Sequence, residues 1–148
     1  MPRIVKLAGM LLCCLLSAAC VSDVNIRSEF EKSVKQYNSK LRWQEIESAG
    51  LLFMETDMLE AYLASAEAIK KKGITITDYR ILASHMLPVQ AGRDTTGNAV
   101  VEFDYYILPS NRIKTLTYKQ DWIYREIGKR EYFKQMTWKL KSGLPVFE

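Results

Sequence analysis

The sequence predicts a single α+β domain in which helices precede an antiparallel sheet. Between residues 28 and 72, apolar side chains recur every three or four positions, as on the buried face of a helix. After Gly73 they recur at every second position, which is typical of half-buried strands. The turn sequences AGRDTTGN and PSNR separate the alternating segments. We therefore expect N-terminal helices packed on an antiparallel sheet of about four strands joined by hairpins.

Two helical segments are predicted first. From about Ser28, apolar residues at helical spacing are separated by charged ones. A second segment, WQEIESAGLLFM, places Trp43 on the apolar side, although Gly50 is an unfavourable helix residue. The residues assigned to buried faces are Phe30, Val34, Tyr37 and Leu41 in the first segment, and Trp43, Ile46, Ala49 and Phe53 in the second.

The third helix has the clearest boundaries. Asp57 can accept hydrogen bonds from first-turn amides, and Glu60 three residues later completes a capping box. Lysines at 70–72 complement the negative end of the helix dipole, and Gly73 ends the helix. The predicted buried stripe is Leu59, Tyr62, Leu63, Ala66 and Ile69.

Four strands are predicted after the helices. The segments are 74–87, 99–108, a strand that starts at Lys114, and 132–140, with a turn around Gly128. In the second segment Phe103 and Tyr105 alternate with acidic residues, so Asp104 is expected on the solvent face.

The first 19 residues resemble a bacterial export signal. Arg3 and Lys6 precede an apolar run at 7–16, and small residues at 17–19 come before Cys20. The segment LSAAC is similar to the lipobox, in which cleavage leaves a terminal cysteine that carries lipid. Ser17 stands where the lipobox pattern prefers leucine. Ordinary secretion, which leaves Cys20 as a free thiol, is the alternative.

Cysteine usage favours the lipobox interpretation. Cys13 and Cys14 lie inside the leader, so the mature chain keeps Cys20 alone and has no internal disulfide to form. We expect lipid attachment at Cys20, a short tether over 20–27 and one domain over 28–148. The anchor makes the membrane a partner and places the protein in the bacterial cell envelope. Val21 rather than aspartate after the cysteine favours the outer membrane, facing the periplasm.

The charge balance excludes nucleic acid as an expected partner. The formal net charge of +4 includes Arg3 and Lys6 of the leader, so the mature chain is only mildly basic. Residues 111–148 hold nine Lys/Arg against four Asp/Glu and are rich in aromatic residues. Such a segment suits anionic lipid headgroups. Solvent-facing residues on alternating strands are the simpler explanation.

The order of elements resembles the nuclear transport factor 2-like fold, through the segments ITDYRI, VVEFDYYI, KTLTYKQDWIYREIGKREYF and GLPVF. One local pattern is similar to that of small bacterial lipoproteins of this fold. It consists of Gln120 and Trp122, then a turn, then a last aromatic strand. The resemblance implies a curved, cone-shaped sheet that wraps around helices and leaves a pocket, and a homodimer formed through the open sheet face. A cystatin-like arrangement of one helix on a sheet is the alternative.

Large aromatic side chains and one histidine form a candidate pocket. The aromatic residues can line a cavity for an apolar ligand, or they can fill the space between sheet and helices. His85 shares strand alternation with Ile81 and Ala83, so we expect it to point inward. The candidate pocket residues are His85, Tyr105, Tyr118, Trp122, Tyr124 and Trp138.

Few side chains point to catalysis. One histidine and one terminal cysteine do not make the usual zinc ligand set, so no metal and no cofactor is expected. The nuclear transport factor 2-like superfamily includes isomerases and dehydratases with an Asp or His base beside tyrosines, but no motif here matches theirs residue by residue. We favour a non-enzymatic interaction module with a protein partner in the envelope. The alternatives are a binding protein for a small apolar ligand and a cone-fold, isomerase-like enzyme.

Overall fold

The computed structural model describes residues 24–88, 92–130 and 133–148. In these ranges, three α-helices pack on one face of a curved, four-stranded antiparallel sheet. The predicted α+β class is therefore confirmed. The nuclear transport factor 2-like assignment stays a prediction. The helices are α1 (24–42), α2 (Ile46–Phe53) and α3 (Leu59–Lys71), and the strands are β1 (Ile74–Met86), β2 (Thr96–Ile107), β3 (Ser110–Arg130) and β4 (Phe133–Leu140).

The sheet is a meander in which strand order follows chain order. The long strand β3 pairs with β2 along its first half and with β4 along its second. Pairing with β4 continues to Arg130 opposite Phe133, so the predicted turn around Gly128 is wrong. A β-bulge between Glu126 and Gly128 leaves Ile127 unpaired, and the strand continues through Gly128, which pairs with Gln135.

The buried core lies between the helices and the inner face of the sheet. Alternate strand residues point toward the helices because successive side chains leave a strand on opposite faces. Each helix contributes side chains three or four positions apart. Gly73 has a positive φ of 65°, which ends α3 as its sequence position predicts. The largest fully buried side chains are Trp122, Trp138, Tyr37, Tyr62, Phe30, Phe103, Leu41, Ile76, Leu140, Gln120, Val34 and Val101.

Two predicted helix starts differ from the structure. Residues 24–27, assigned to the tether, already belong to α1. The predicted cap at Asp57 is wrong, because this residue lies in a 3-10 turn, Thr56–Met58, and no side chain caps α3. The 3-10 turn continues directly into α3, so helical backbone angles are already established at Leu59.

Gly50 allows α2 and α3 to approach each other closely. A Cβ atom at this position would lie 2.5 Å from Cδ1 and Cε1 of the Tyr62 ring, which is closer than real contacts occur. The glycine therefore costs helix propensity, roughly 1 kcal/mol relative to alanine, but it makes room for a large buried ring.

A reciprocal amide pair connects α1 to the centre of the sheet. Asn38 Nδ2 donates to Gln120 Oε1 at 3.2 Å, and Gln120 Nε2 donates to Asn38 Oδ1 at 2.7 Å. The second Asn38 donor position bonds the carbonyl oxygen of Val34 at 2.8 Å. Both side chains are fully buried. Since a buried amide without partners is costly, this pair fixes which helix residue faces which strand residue.

We predict that Asn38→Ala lowers the free energy of unfolding by about 3 kcal/mol. The substitution leaves both polar atoms of the Gln120 side-chain amide, Oε1 and Nε2, without their buried hydrogen-bond partner. The double variant Asn38→Leu/Gln120→Met replaces both polar partners by apolar groups of similar shape, and it should be closer to wild type than Asn38→Ala. Urea denaturation measures both values. Equal destabilisation by the single and double variants would contradict this account.

Candidate functional site

The predicted tryptophan and tyrosine pocket is occupied by its own side chains. Trp122 makes edge-on contacts with Phe30, Tyr37 and Phe53, at centroid distances between 5.7 and 6.3 Å. Trp138 contacts Phe30 at 4.6 Å. Both indoles are about 1% exposed. These rings fill the space between sheet and helices, which is the second of the two interpretations that the sequence left open.

Tyr124 and Trp138 extend the same packing toward the beginning of α1. Their ring centroids are 5.2 Å apart. The Tyr124 hydroxyl donates to Oε2 of Glu29 at 3.0 Å, and Trp138 Nε1 donates to the carbonyl of Ile26 at 3.2 Å. The aromatic residues of β3 and β4 therefore hold the first turns of α1 against the sheet.

The C-terminal segment covers the other end of the inner face. The Phe147 ring lies 4.8 Å from the Tyr105 ring, and the Tyr105 hydroxyl donates to the carbonyl of Glu148 at 2.8 Å. The Tyr118 hydroxyl donates to the carbonyl of Gly143. Tyr105 and Tyr118 thus bind the chain's own C-terminal residues.

His85 lies on the outer face of the sheet, not inside it. A β-bulge between Ile81 and Ala83 inserts Leu82 as an unpaired residue and reverses the alternation that follows. His85 therefore stands opposite Asn98 and is exposed, while its neighbour Met86 packs against the core. The expectation that His85 points inward is wrong, because strict alternation was counted across this bulge.

Asp104 also lies on the outer face, as its position in the alternation predicts. Arg80 Nη1 donates to Asp104 Oδ2 at 2.9 Å, and the Thr115 hydroxyl donates to Oδ1 at 2.8 Å. These hydrogen bonds lower the pKa of Asp104 below its usual value. Both His85 and Asp104 therefore lie on the outer face of the sheet, on the opposite side from the buried rings of Trp122 and Trp138.

Buried tyrosines have raised pKa values. Burial raises the pKa of Tyr37 and of Tyr62, whose hydroxyl donates to the Tyr37 oxygen at 3.3 Å. Burial raises the pKa of Tyr118 to about 12, and burial together with the Glu29 carboxylate raises that of Tyr124 to about 12. The folded state therefore keeps these phenols neutral at pH values where the unfolded chain ionises them.

We predict that stability is lost in alkaline solution through these tyrosines. Their contribution to the free energy of unfolding is complete below about pH 10, near the pKa of tyrosine in the unfolded chain. It falls as the pH rises toward the higher pKa values of the folded state, because the unfolded chain then binds fewer protons than the folded one. Tyr37→Phe removes one such group. It should reduce the slope with which the free energy of unfolding falls by about 1.4 kcal/mol per pH unit between about pH 10.5 and 12. Urea titrations at several pH values measure the slope. Identical slopes for the two proteins would refute the assignment.

An open groove lies on the surface between α1 and α2. It has a volume of about 520 Å³, and its apolar lining residues are Trp43, Leu52 and Phe53. The Trp43 side chain is 67% exposed, although the sequence assigned it to a buried helix face. That prediction is wrong because α1 ends at residue 42 and α2 begins only at Ile46, after a turn through Gln44 with φ of 62°. We call this surface the Trp43 groove; its lining is Lys35, Gln36, Ser39, Lys40, Trp43, Glu45, Leu52 and Phe53.

The exposure of two leucines on α2 follows from helix geometry. The eight-residue helix α2 buries positions 46, 49, 50 and 53, which lie on one face. Leu51 and Leu52 therefore point to solvent, and both are more than half exposed. Leu52 lines the groove together with the exposed Trp43, and adjoining exposed apolar side chains are typical of interaction sites.

Basic side chains surround the Trp43 groove. Lys35 lines it, and Lys40 Nζ forms an ion pair with Glu45 at 2.6 Å. The Arg42 guanidinium lies 4.8 Å from the centroid of the Trp43 ring, a cation–π contact. Lys139 Nζ donates to the carbonyl of Leu52 at 2.8 Å, and burial lowers the pKa of Lys139. The groove thus combines apolar side chains with basic ones, of which Lys40 is paired with Glu45.

Helical periodicity carried one signal for this surface. Leu51 and Leu52 are apolar residues that fall outside the 46, 49, 50, 53 stripe, and apolar residues outside a buried stripe indicate surface contacts. The turn that exposes Trp43 has no comparable signal, since Gln44 is not a residue that usually adopts positive φ.

Cys20, the predicted lipid attachment site, lies outside the described residues. In the ranges that the structure describes, no helix has both the length and the apolar character to span a membrane. The same ranges contain no cluster of three His, Cys, Asp or Glu side chains that could hold a metal ion.

Comparisons with known proteins identify a fold but no family. No family model matches the chain. No curated protein matches it either. Among solved structures, the chain is similar to the intermembrane space region of the chloroplast protein ARC6, with a TM-score of 0.51 and 14% sequence identity. The match covers 82% of this chain and 91% of the ARC6 fragment. At this identity the similarity concerns the fold alone.

Proposed function

We propose that the protein is a lipid-anchored lipoprotein of the bacterial cell envelope that works as a non-enzymatic interaction module. In this proposal, lipid on Cys20 holds the chain on the outer membrane, facing the periplasm. The Trp43 groove binds a partner protein there. The observation that carries the binding role is the exposure of Trp43 in the lining of a groove of about 520 Å³.

The residue types of the Trp43 groove support a protein partner. Tryptophan is enriched among the residues that dominate binding energy at protein interfaces. Leu52 adds exposed apolar area next to it, and adjoining exposed apolar side chains mark interaction sites on protein surfaces. The aromatic core offers no comparable support for a small-ligand function, because its rings contact one another.

The charges of the groove favour a partner segment that carries both apolar and acidic side chains. Lys35 lines the groove and Lys139 bonds the carbonyl of Leu52 beside it, whereas Lys40 is already paired with Glu45. Complementary charge increases the association rate and selects among apolar partners. A basic amphipathic segment would meet repulsion from the same lysines.

The anchor is tested by metabolic labelling with a radioactive fatty acid in the bacterial host. The natural chain should incorporate label, and Cys20→Ala should incorporate none, because it removes the thiol that would carry the lipid. An alternative variant, Ser17→Leu, restores the residue that the lipobox pattern prefers and should label at least as well. Label that persists in Cys20→Ala would disprove attachment at this residue.

The groove is tested by photocrosslinking in cells, with a benzophenone amino acid in place of Leu52. The control carries it in place of Thr117, an exposed residue of the outer sheet face. A specific adduct should form from position 52 and not from position 117. Adding Lys35→Glu should reduce the position-52 adduct by about three- to tenfold, whereas Lys119→Glu on the outer face should not.

Mass spectrometry of the adduct then decides between partners. Crosslinked peptides from a second protein with an acidic, apolar segment support the proposal. An adduct of two copies of this chain would instead make the groove a homodimer contact. Equal adducts from positions 52 and 117, or no adduct from position 52, would contradict a binding role for the groove.

A further inference from the structure

We propose that two copies of this chain pair through the outer edge of β1, which joins their two four-stranded sheets into one continuous antiparallel sheet. This inference goes beyond the proposed function and depends neither on the anchor at Cys20 nor on the Trp43 groove. The edge concerned comprises residues 78–85, on the side of β1 that faces away from β2. We call it the β1 edge.

The two outermost strands of the sheet differ in how their edges are covered. At β4, Met54 forms a β-bridge with Leu140, and the Glu55 N–H donates to the Leu140 carbonyl at 3.2 Å. At β1, the turn after α1 covers the beginning of the strand, where Gln44 Nε2 donates to the Ile76 carbonyl at 3.3 Å. In the ranges that the structure describes, β1 pairs with β2 alone. Such an edge is a template for a further strand.

Apolar side chains are exposed in the middle of the β1 edge. Ile81 is 38% exposed and Leu82 is 54% exposed. Edge strands that avoid pairing commonly carry charged residues or proline at such positions. Burial of Ile81 and Leu82 against a second strand would instead remove apolar surface from water, which favours association.

Hydrogen bonds within β1 indicate which backbone groups point to this edge. The Leu87 N–H donates to the Thr96 carbonyl on β2 at 2.8 Å. Because bonded and free positions alternate along an antiparallel strand, the backbone groups of Ser84 point to the free edge. The Tyr79 N–H donates to the Asp78 carboxylate at 2.9 Å, which places this N–H at the free edge as well.

The β-bulge at Leu82 makes a symmetric antiparallel pair possible. Residues that oppose each other in paired strands have side chains on the same face of the sheet. Tyr79 pairs with Phe103 and Ser84 with Ala99, and both β2 residues are buried in the core, so Tyr79 and Ser84 face the helices. Tyr79 of one copy can therefore oppose Ser84 of the other with matched backbone groups. Twofold symmetry repeats this pair.

Charge selects this register over the next one. With Tyr79 opposite Ser84, Asp78 opposes His85 of the second copy, and Ile81 and Leu82 of both copies meet at the twofold axis. The next register that matches the faces places Arg80 opposite His85 instead. An imidazole can donate a hydrogen bond to a carboxylate, whereas a guanidinium is a donor without an acceptor and carries positive charge. The Asp78 side chain is 56% exposed and can be reached by the second copy.

Asp78 changes partners when the copies pair. In the single chain its carboxylate accepts the Tyr79 N–H and lies 3.5 Å from Arg42 Nε. In the dimer the Ser84 carbonyl of the second copy accepts the Tyr79 N–H, and the carboxylate is released toward His85. Pairing therefore competes with a local hydrogen bond. We expect a reversible dimer whose population rises with protein concentration.

Disulfide trapping tests the register in the full chain, purified in detergent and oxidised with copper phenanthroline. Arg80 and Ala83 of opposite copies form a non-hydrogen-bonded pair with Cα atoms about 4.5 Å apart, which suits a disulfide. Within one chain they are about 10 Å apart, too far for one. Arg80→Cys/Ala83→Cys should therefore give a covalent dimer on a non-reducing gel. The natural chain, which keeps Cys20, shows any background.

Two matched pairs of cysteines give the contrary outcomes. Thr117→Cys/Lys119→Cys lies on the exposed outer face of the sheet and should stay at the background level. A dimer from this pair equal to that from positions 80 and 83 would indicate face-to-face association and overturn the proposal. Arg80→Cys/His85→Cys reports the next register, and a stronger dimer from it would overturn the pairing of Asp78 with His85. The absence of a dimer from positions 80 and 83 would overturn the proposal outright.

Sedimentation of chains without added cysteine tests the contacts themselves. His85→Asp places two carboxylates opposite each other and should raise the dimer dissociation constant about fivefold, and adding Asp78→His should restore it. Leu82→Lys should abolish the dimer, whereas Ile113→Lys, at an exposed residue of β3, should not. Circular dichroism checks that each variant is folded. Equal dissociation constants for the natural chain, His85→Asp and Leu82→Lys would refute pairing through the β1 edge.

Discussion

The amide pair between Asn38 and Gln120 is the contact on which the arrangement of the domain depends. It is polar, fully buried and reciprocal, so neither α1 nor β3 can shift by one residue without leaving an amide unsatisfied. Apolar packing alone tolerates such shifts better, because it depends on volume rather than on particular atoms. The pair fixes α1 at one level on β3, and the positions of Phe30, Tyr124 and Trp43 follow from that level.

Aromatic side chains fill the space between the curved sheet and the helices. Trp122 has three aromatic neighbours, and each contact is edge-on, which is the geometry that aromatic rings prefer over face-to-face stacking. The space between the sheet and the helices is consequently occupied by side chains. The Trp43 groove lies where two elements meet, at the turn between α1 and α2.

Periodicity predicted the helices and strands because their burial is regular. The stripes Phe30, Val34, Tyr37 and Leu41 in α1, and Tyr62, Ala66 and Ile69 in α3, are buried as expected. The same method was wrong wherever a single residue interrupts the period. Leu82 reverses the strand alternation and moves His85 outward, and Gln44 ends one helix before Trp43 could join the next. Such interruptions depend on tertiary contacts, such as the bond from Gln44 Nε2 to the Ile76 carbonyl, which local sequence does not encode.

The C-terminal segment determines whether the inner sheet face is covered or open at one end. Phe147 is buried against Phe103 and Tyr105, so part of the chain itself covers this end of the inner sheet face. A relative that lost its last few residues would inherit a ready apolar recess with two tyrosine hydroxyls, those of Tyr105 and Tyr118, released from backbone carbonyls. Binding specificity could then emerge by shortening, with no change to the scaffold.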